Sequence, residues 1–173
     1  MSSLGPLGIQ RPLALVGFMG SGKSVVGAIV AQRTGAPFRD LDLLVEAEAG
    51  MPIPEIFSTG GEAAFRALET RLLPSALEPG SVVALGGGSL INDANWEVVA
   101  RTATTVYLEV PFQTMWDRIR RLTGRPLASG RSRDEVESLF ETRRARYEQA
   151  VHRVRGDRAP AMVADEVIKL WSA

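Results

Sequence analysis

The stretch Gly17-Phe18-Met19-Gly20-Ser21-Gly22-Lys23-Ser24 decides the fold of this 173-residue chain. It fits the pattern G-x-x-x-x-G-K-S/T, in which glycines let successive backbone N–H groups converge on phosphate oxygens. The apolar run 13–17 before it is typical of a buried strand, and segment 25–33 after it has apolar residues at helical spacing. A glycine turn could match the pattern by chance, but this strand and helix favour a phosphate-binding loop.

The loop predicts contacts to the phosphates of a nucleotide. The N-terminus of the following helix adds the positive end of its dipole, and we expect Lys23 to reach the terminal phosphates. Ser24 is expected to offer its hydroxyl to Mg²⁺. Such loops occur in GTPase switches, motor ATPases and small-molecule kinases, so the loop alone leaves the function open. The expected nucleotide-binding residues of this segment are Gly20, Ser21, Gly22, Lys23, Ser24 and Val25.

Outward from the loop, short β-rich runs alternate with segments of helical periodicity. Alternating strands and helices predict a parallel sheet covered by helices on both faces. Because the sequence shows no internal repeat and no linker, we expect one domain, 13–173, after a flexible tail, 1–12. Strands are predicted at 13–17, 38–41, 81–85, 104–110 and 151–155. Helices are predicted at 25–33, 43–49, 53–77 with an interruption at 59–61, 93–101, 111–122, 133–150 and 161–171.

The composition is that of an ordinary globular domain, with 45% hydrophobic residues, 23% charged residues and a formal net charge of zero. A domain of this size buries roughly 70% of the surface that its unfolded chain exposes, which suffices for a core without disulfides. The chain has no cysteine, so thiolate ligands and cysteine nucleophiles are excluded. We find no leader and no apolar run of the ~20 residues that span a bilayer, and we expect a cytoplasmic protein without a membrane partner.

Positive charge is concentrated in segment 118–158, which holds twelve arginines and six acids. Lys23 and Lys169 are the only lysines, so nearly all of the positive charge is guanidinium, which suits bidentate contacts to phosphate or carboxylate. A nucleic-acid surface is disfavoured, because acids are interspersed among these arginines and aromatic residues are few.

Asp40 and Asp42 are the candidate acids near the loop. The most hydrophobic later strand, 81–85, ends in Gly86-Gly87-Gly88, so the aspartate that supports Mg²⁺ is expected elsewhere. Asp40 and Asp42 end the second predicted strand, and an extended segment would point both to the same side. We expect one to support the metal and the other to hold a substrate hydroxyl. The alternative is that the pair caps the next helix.

The three glycines after strand 81–85 lie where open α/β sheets bind ligands, beyond the carboxyl end of a strand. Glycine lets a small ligand lie against the backbone, and a flexible turn is the alternative.

Five short segments follow one another across almost the whole chain after the tail: GFMGSGKS (17–24), RDLD (39–42), FRALE (65–69), LGGG (85–88) and GRPL (124–127). In this combination and order they resemble the shikimate kinases. The resemblance implies a three-layer α/β/α P-loop kinase fold with a five-stranded parallel sheet and a mobile lid at about 123–133, where Gly, Pro and Ser are frequent. It also implies ATP-dependent phosphorylation of the 3-hydroxyl of shikimate, with Mg²⁺ as cofactor and ATP and shikimate as partners of a monomer.

The resemblance implies roles for single residues on the substrate side. Asp42 corresponds to the family aspartate that contacts the shikimate hydroxyls, and Asp40 to the one near Mg²⁺. Arg66, oriented by Glu69, and Arg143 correspond to the arginines that bind the shikimate carboxylate. The other substrate contacts that the resemblance implies are Phe57, Phe65, Gly86, Gly87 and Gly88.

On the nucleotide side, the resemblance makes Arg125 the lid arginine that reaches the ATP phosphates. A second phosphate contact is expected from Arg118, Arg120 or Arg121, of which Arg121 is the first candidate. Arg158 corresponds to a residue near adenine. The expected catalytic residues are Lys23, Asp42 and Arg125.

Three alternatives stay open at this point. A related small-metabolite kinase, such as a gluconate kinase, would share the loop and the lid, but Arg66 and Arg143 favour a substrate with a carboxylate. A non-catalytic sensor would bind ATP or shikimate without turnover. Each arginine taken alone could be a solvated helix residue in an ordinary helical ion pair.

Overall fold

The computed structural model describes residues 11–121 and 130–172. Within these ranges five strands form one sheet, and every neighbouring pair of strands is parallel. The predicted five-stranded parallel sheet is confirmed. The strands are β1 (Leu13–Val16), β2 (Phe38–Asp40), β3 (Val82–Ala84), β4 (Thr104–Glu109) and β5 (His152–Arg155), and their order across the sheet is β2-β3-β1-β4-β5.

Helices follow the strands in the alternating order that the sequence predicts. Because three residues are too few to show a periodicity, the sequence did not predict the short 3-10 helix Ser89–Ile91. The α-helices of the described ranges are α1 (Lys23–Thr34), α2 (Leu41–Ala49), α3 (Ile53–Ala76), α4 (Asp93–Thr102), α5 (Phe112–Ile119), α6 (Arg133–Tyr147) and α7 (Pro160–Trp171).

Strand β1 is buried on both faces and separates two apolar cores. Successive side chains of a strand point to opposite faces, so Leu13 and Leu15 pack with α1 and α7. Ala14 and Val16 face the larger core, to which α3, α4, α5 and α6 contribute. The two cores give the three-layer α/β/α arrangement that was predicted.

Local sequence signals predicted the interruption of α3 correctly but misplaced both ends of α5. The predicted interruption of 53–77 is confirmed, since Gly61 has a left-handed φ of 73° inside α3. Helix α5 is shorter than predicted: Pro111 is its N-cap rather than its first residue, and the helix ends at Ile119 rather than near 122.

The sheet topology brings three segments to one edge. Strand β3 pairs with β1 and with β2, so that Ala84 is opposite Leu15 on one side and Asp40 on the other. The segments that leave β1, β2 and β3 therefore meet at the carboxyl ends of the strands, where ligands bind in open α/β sheets.

Two predicted segments lie largely outside the described residues. The predicted tail, 1–12, has only its last two residues described, and there Arg11 donates hydrogen bonds to carbonyl oxygens at the end of α4, one of them at 2.9 Å to Arg101. Of the predicted lid, 122–129 lies outside. Ser132 and Glu135 form a capping box that starts α6. No helix of the described part of the chain is long and apolar enough to cross a membrane.

Candidate active site

The phosphate loop, residues 17–24, is shaped by its glycines and by Lys23. Gly20 and Gly22 have φ values of 77° and 93°, a left-handed conformation that other residues disfavour, and they turn the chain into α1. Lys23 is buried, and its Nζ donates hydrogen bonds within the loop, the shortest at 2.8 Å to the Gly17 carbonyl. The ammonium group and the N-terminus of α1 thus concentrate positive charge at the loop, as phosphate binding requires.

Asp40 uses both carboxylate oxygens at the point where β2 becomes α2. Its Oδ2 accepts a hydrogen bond from the Ser24 hydroxyl at 2.5 Å, and its Oδ1 accepts one from the Asp42 backbone N–H at 3.0 Å. The second contact makes Asp40 the N-cap of α2, so the expected cap and the expected site acid are the same residue.

The expectation that Asp40 and Asp42 share an extended segment is wrong. Helix α2 begins at Leu41 because Asp40 caps it, and Asp42 therefore lies in the first helical turn. Both carboxylates nevertheless line the same cavity, described below.

Ser24 and Asp40 fit the needs of a divalent cation. Mg²⁺ prefers oxygen ligands and is usually held by one or two protein groups together with substrate phosphates and water. Here a hydroxyl and a carboxylate meet beside the phosphate loop. The residues present therefore fit a cation that arrives with the nucleotide phosphates.

The glycine turn, Gly86–Gly88, allows charged side chains to approach the backbone closely. A Cβ atom at Gly86 would lie 2.6 Å from Oε1 of Glu69, and a Cβ atom at Gly88 would collide with the guanidinium group of Arg66. Any side chain at these two positions would displace the groups beside it. The described groups that use this close approach belong to the protein itself, and the expectation that a small ligand lies against these glycines stays a prediction.

Arg66 is held from α3 by two carboxylates. Its Nη1 lies 2.5 Å from Oε2 of the fully buried Glu69, and its Nη2 lies 3.1 Å from Oε1 of Glu62. Glu69 also accepts a hydrogen bond from the Ser89 hydroxyl at 2.6 Å. Burial raises the pKa of Glu69, and the charge of Arg66 opposes this shift. The ion pair therefore fixes the Arg66 guanidinium next to the glycine turn.

Arg143 approaches Arg66 from α6 and is only 7% exposed. Its Nη1 is buried and has no hydrogen-bond partner among the described residues. Burial lowers the pKa of Arg143, and the positive charge of Arg66 acts in the same direction. The alternative that Arg143 is a solvated helix residue is wrong. Two neighbouring guanidinium groups, one with a buried donor left over, define a place for an anion.

A cavity of about 500 Å³ connects the phosphate loop with the glycine turn. It contains residues expected to bind the nucleotide and residues expected to bind the acceptor. The cavity is lined by Met19, Gly20, Gly22, Lys23, Ser24, Val25, Asp40, Asp42, Ala84, Leu85, Gly86, Gly87, Arg118 and Arg121.

Arg118 is one of the three arginines expected to supply a second phosphate contact, although Arg121 was the first candidate. Its Nη1 donates a hydrogen bond to the Gly20 carbonyl at 2.9 Å, and it lines the cavity together with the first candidate, Arg121. Gly20 packs closely against Met115 and Ile119 of α5. Packing of this helix on the loop, rather than a local motif, brings Arg118 to the site.

The structure does not bring every expected site residue to the cavity wall. The expected residues that are described but do not line the cavity are Ser21, Phe57, Phe65, Arg66, Gly88, Arg143 and Arg158. Phe57 and Phe65 pack against each other, with ring centroids 5.1 Å apart, in a small core cluster with Ile56. Arg158 pairs with Glu166. Arg125 lies outside the described residues. The roles of these residues stay predictions.

Other arginines form helical ion pairs of the ordinary kind. Arg133 pairs with Glu137 at 2.8 Å, and Arg144 pairs with Glu148 at 3.0 Å, each at i,i+4 spacing on α6. Exposed pairs of this kind add little stability, typically ~0.3–0.5 kcal/mol. They account for part of the positive charge of segment 118–158.

The parallel sheet, the phosphate loop and the adjoining cavity define a P-loop nucleotide-binding protein of the α/β class. A family model described as Shikimate kinase matches residues 19–171. A curated relative, Shikimate kinase of Salinibacter ruber, is 41% identical over 170 residues, which cover 92% of this chain and 83% of the relative. This chain belongs to the shikimate kinase family.

Solved structures agree with this assignment. The structure of shikimate kinase from Acinetobacter baumannii in complex with shikimate has a TM-score of 0.88 and 30% identity, covering 93% of this chain and 92% of that chain. A gluconokinase from Sinorhizobium meliloti has a TM-score of 0.53 and 21% identity, covering 95% of this chain and 93% of that chain. The second likeness extends to the fold alone, and the gluconate kinase alternative is not favoured.

Proposed function

We propose that this chain transfers the γ-phosphoryl group of ATP to the 3-hydroxyl of shikimate and releases ADP and 3-phosphoshikimate. As a member of the shikimate kinase family, the chain is an ATP-dependent kinase. The observation that carries the proposal is that Arg66 lies against the glycine turn, whose Gly86 and Gly87 line the same cavity as the phosphate loop, and that the positive charge of Arg66 acts on the buried Arg143.

The arginine pair is proposed to bind the carboxylate of shikimate. Guanidinium groups match carboxylates in charge and in bidentate geometry. The partnerless Nη1 of Arg143 would gain an acceptor, which offsets the cost of its burial, and the repulsion between Arg66 and Arg143 would be relieved. A carboxylate at this end leaves the hydroxyl groups of a small ring directed toward the rest of the cavity.

Asp42 is proposed to hold the attacking hydroxyl. It lines the cavity next to the phosphate loop, and its Oδ1 lies 3.2 Å from where a Cβ of Gly86 would be. The hydroxyl oxygen bonds to the γ-phosphorus while the bond to the bridging oxygen of ADP breaks, and Asp42 accepts the hydroxyl proton. Positioning and charge stabilisation dominate such transfers, so the protein needs to form no covalent intermediate.

Lys23 is proposed to stabilise the charge on the transferred group. Its Nζ lies in the phosphate loop, where exchange of loop carbonyls for phosphate oxygens would retain its hydrogen bonding. Ser24 and Asp40 would hold Mg²⁺, which when bound neutralises phosphate oxygens of the nucleotide.

Arg118 and Arg121 are proposed to contact the nucleotide from α5 and the turn after it, because both line the cavity. We also propose that the lid arginine, Arg125, contacts the ATP phosphates and that the lid closes over ATP and excludes water.

A cytoplasmic location and a monomeric state are also proposed. The sequence contains no cysteine, which fits a reducing compartment.

A coupled ADP-release assay with shikimate, quinate and gluconate tests the function. We expect ATP-dependent turnover with shikimate and none with gluconate, which lacks the ring that the two arginines and Asp42 would orient. Turnover of gluconate alone would establish the related metabolite kinase. Binding of shikimate by calorimetry without turnover of any acceptor would establish the sensor.

A further inference from the structure

Tyr147 lies between two parts of the proposed acceptor site, the glycine turn and Arg143. It lies on α6 four residues after Arg143, so the two side chains share a helix face. Its ring is buried, and its hydroxyl donates a hydrogen bond to the Gly87 carbonyl, at the middle of the glycine turn. No step of the proposed reaction uses Tyr147.

The Gly87 carbonyl is a fixed anchor for this hydroxyl. A Cβ atom at Gly87 would lie only 3.1 Å from the backbone N of Met19, which shows how closely the turn packs on the phosphate loop. A hydroxyl that donates its single hydrogen to a fixed carbonyl presents its lone pairs in a defined direction. Arg143 is buried one helical turn before Tyr147 on the same face of α6, and its positive charge opposes the effect of burial on the pKa of Tyr147.

Arg143 needs an orienting contact more than Arg66 does. Arg66 is oriented by two carboxylates, Glu62 and Glu69. Arg143 has no ion pair within the described residues, and its Nη1 has no hydrogen-bond partner there. Burial raises the pKa of Tyr147, so the phenol stays neutral and keeps the proton that it donates.

We propose that Tyr147 is a positioning residue whose hydroxyl, anchored on the Gly87 carbonyl, directs the Arg143 guanidinium toward the acceptor carboxylate. This inference rests on the proposed function, because it explains how one of the two arginines proposed to bind the carboxylate is oriented. It adds a residue that acts through Arg143 and does not touch the reacting atoms.

The test compares Tyr147→Phe with Tyr107→Phe. Tyr107 is the matched control because it is also buried, its ring centroid is 5.6 Å from that of Tyr147, and its hydroxyl makes no hydrogen bond to the glycine turn. We expect Tyr147→Phe to raise the KM for shikimate about tenfold, as for loss of one hydrogen bond to a charged group, while the KM for ATP changes less than about twofold. Tyr107→Phe should change neither KM.

A double-mutant cycle tests the route through Arg143. In an Arg143→Ala background, Tyr147→Phe should raise the KM for shikimate less than about twofold, because the group that it orients is gone. An additive effect overturns the proposal. Equal increases of both KM values with a lowered thermal midpoint, absent from Tyr107→Phe, would show a merely structural role and also overturn it.

Wild-type kinetics separate this proposal from the function itself. If the wild-type protein turns over shikimate but Tyr147→Phe has an unchanged KM, the role of Tyr147 is contradicted and the proposed function stands. If the wild-type protein neither binds nor turns over shikimate, both are contradicted.

Discussion

The nucleotide side of the candidate site, residues 17–24, is built differently from the acceptor side, to which we assign Asp42, Arg66, the glycine turn and Arg143. The nucleotide side is one continuous segment that fixes its own shape through glycine conformations and the hydrogen bonds of Lys23. The acceptor side brings together side chains from α2, α3 and α6 around a backbone turn. Changes on the acceptor side should therefore affect the KM for shikimate and should couple to one another.

The largest effect is expected at the boundary between the two sides. Asp42→Asn keeps the shape of the side chain but removes the group that accepts the hydroxyl proton, so kcat should fall about 10³-fold. ATP binding, measured by calorimetry, should stay within about twofold. Asp117→Asn, at a side chain that is 41% exposed on α5, is the control and should change neither quantity. A kcat near the wild-type value would show that Asp42 is not the proton acceptor.

A smaller effect is expected from Arg66→Lys, which keeps the charge beside Glu69 but loses the bidentate fork. Weakening of a charge-assisted contact by ~1.4 kcal/mol corresponds to about a tenfold rise in the KM for shikimate, with little change in the KM for ATP. The control is Arg71→Lys, at a side chain of α3 that is 62% exposed. An equal rise of both KM values would place Arg66 outside the acceptor site.

Gly88→Ala tests whether the glycine turn and Arg66 act as one unit. The added Cβ would meet the guanidinium of Arg66 and push it aside, so the KM for shikimate should rise about fivefold. The same change made together with Arg66→Ala should have a smaller effect, because the side chain that it displaces has been removed. Steady-state kinetics of the three variants measure this coupling, and independent effects would contradict it.

The smallest expected effect is a pH dependence of the free energy of unfolding, and it is caused by Glu69. Burial raises the pKa of this carboxyl, so the folded protein holds its proton more tightly than the unfolded chain does. Protonated Glu69 therefore contributes to the free energy of unfolding. This contribution is fully present below the ordinary pKa of 4.5 and is lost as the pH rises through the pKa of the folded protein. The free energy of unfolding of the wild type, relative to that of Glu69→Gln, should therefore fall with increasing pH in that range.

Urea unfolding of the wild type and of Glu69→Gln at a series of pH values measures this difference. The effect should be modest, because the charge of Arg66 opposes the shift. A difference that does not vary with pH would contradict a raised pKa.

The sequence predicted most of the fold because its signals are local. The alternation of apolar runs and helical periodicity gave the parallel sheet, and Gly60-Gly61 marked the interruption of α3. Two helix boundaries, the start of α2 and the end of α5, were predicted wrongly, because each depends on the residue that caps the helix there. Asp40 starts α2 two residues early, and α5 ends at Ile119 although the pattern runs further.

The candidate site was predictable in part. The motif at 17–24 predicted the nucleotide side, and the family resemblance indicated Asp42, Arg66 and Arg143 on the acceptor side. No local sequence pattern shows that two arginines from different helices lie near each other. Among the three candidates Arg118, Arg120 and Arg121, the sequence favoured Arg121, because only the packing of α5 on the phosphate loop shows that Arg118 also reaches the cavity.

By itself the sequence determined the class of fold, the phosphate loop and the residue types available for binding an anion, because each depends on short-range spacing. Only the tertiary structure decided which arginines face the cavity and which form surface ion pairs, since chemically identical side chains differ in burial and in partners. It also decided that Asp40 both caps α2 and accepts a hydrogen bond from Ser24, and that Tyr147 reaches the glycine turn. The contacts of Asp40 with Ser24 and of Tyr147 with Gly87 join residues that are 16 and 60 positions apart, and burial and hydrogen bonding in the folded protein give them their energy.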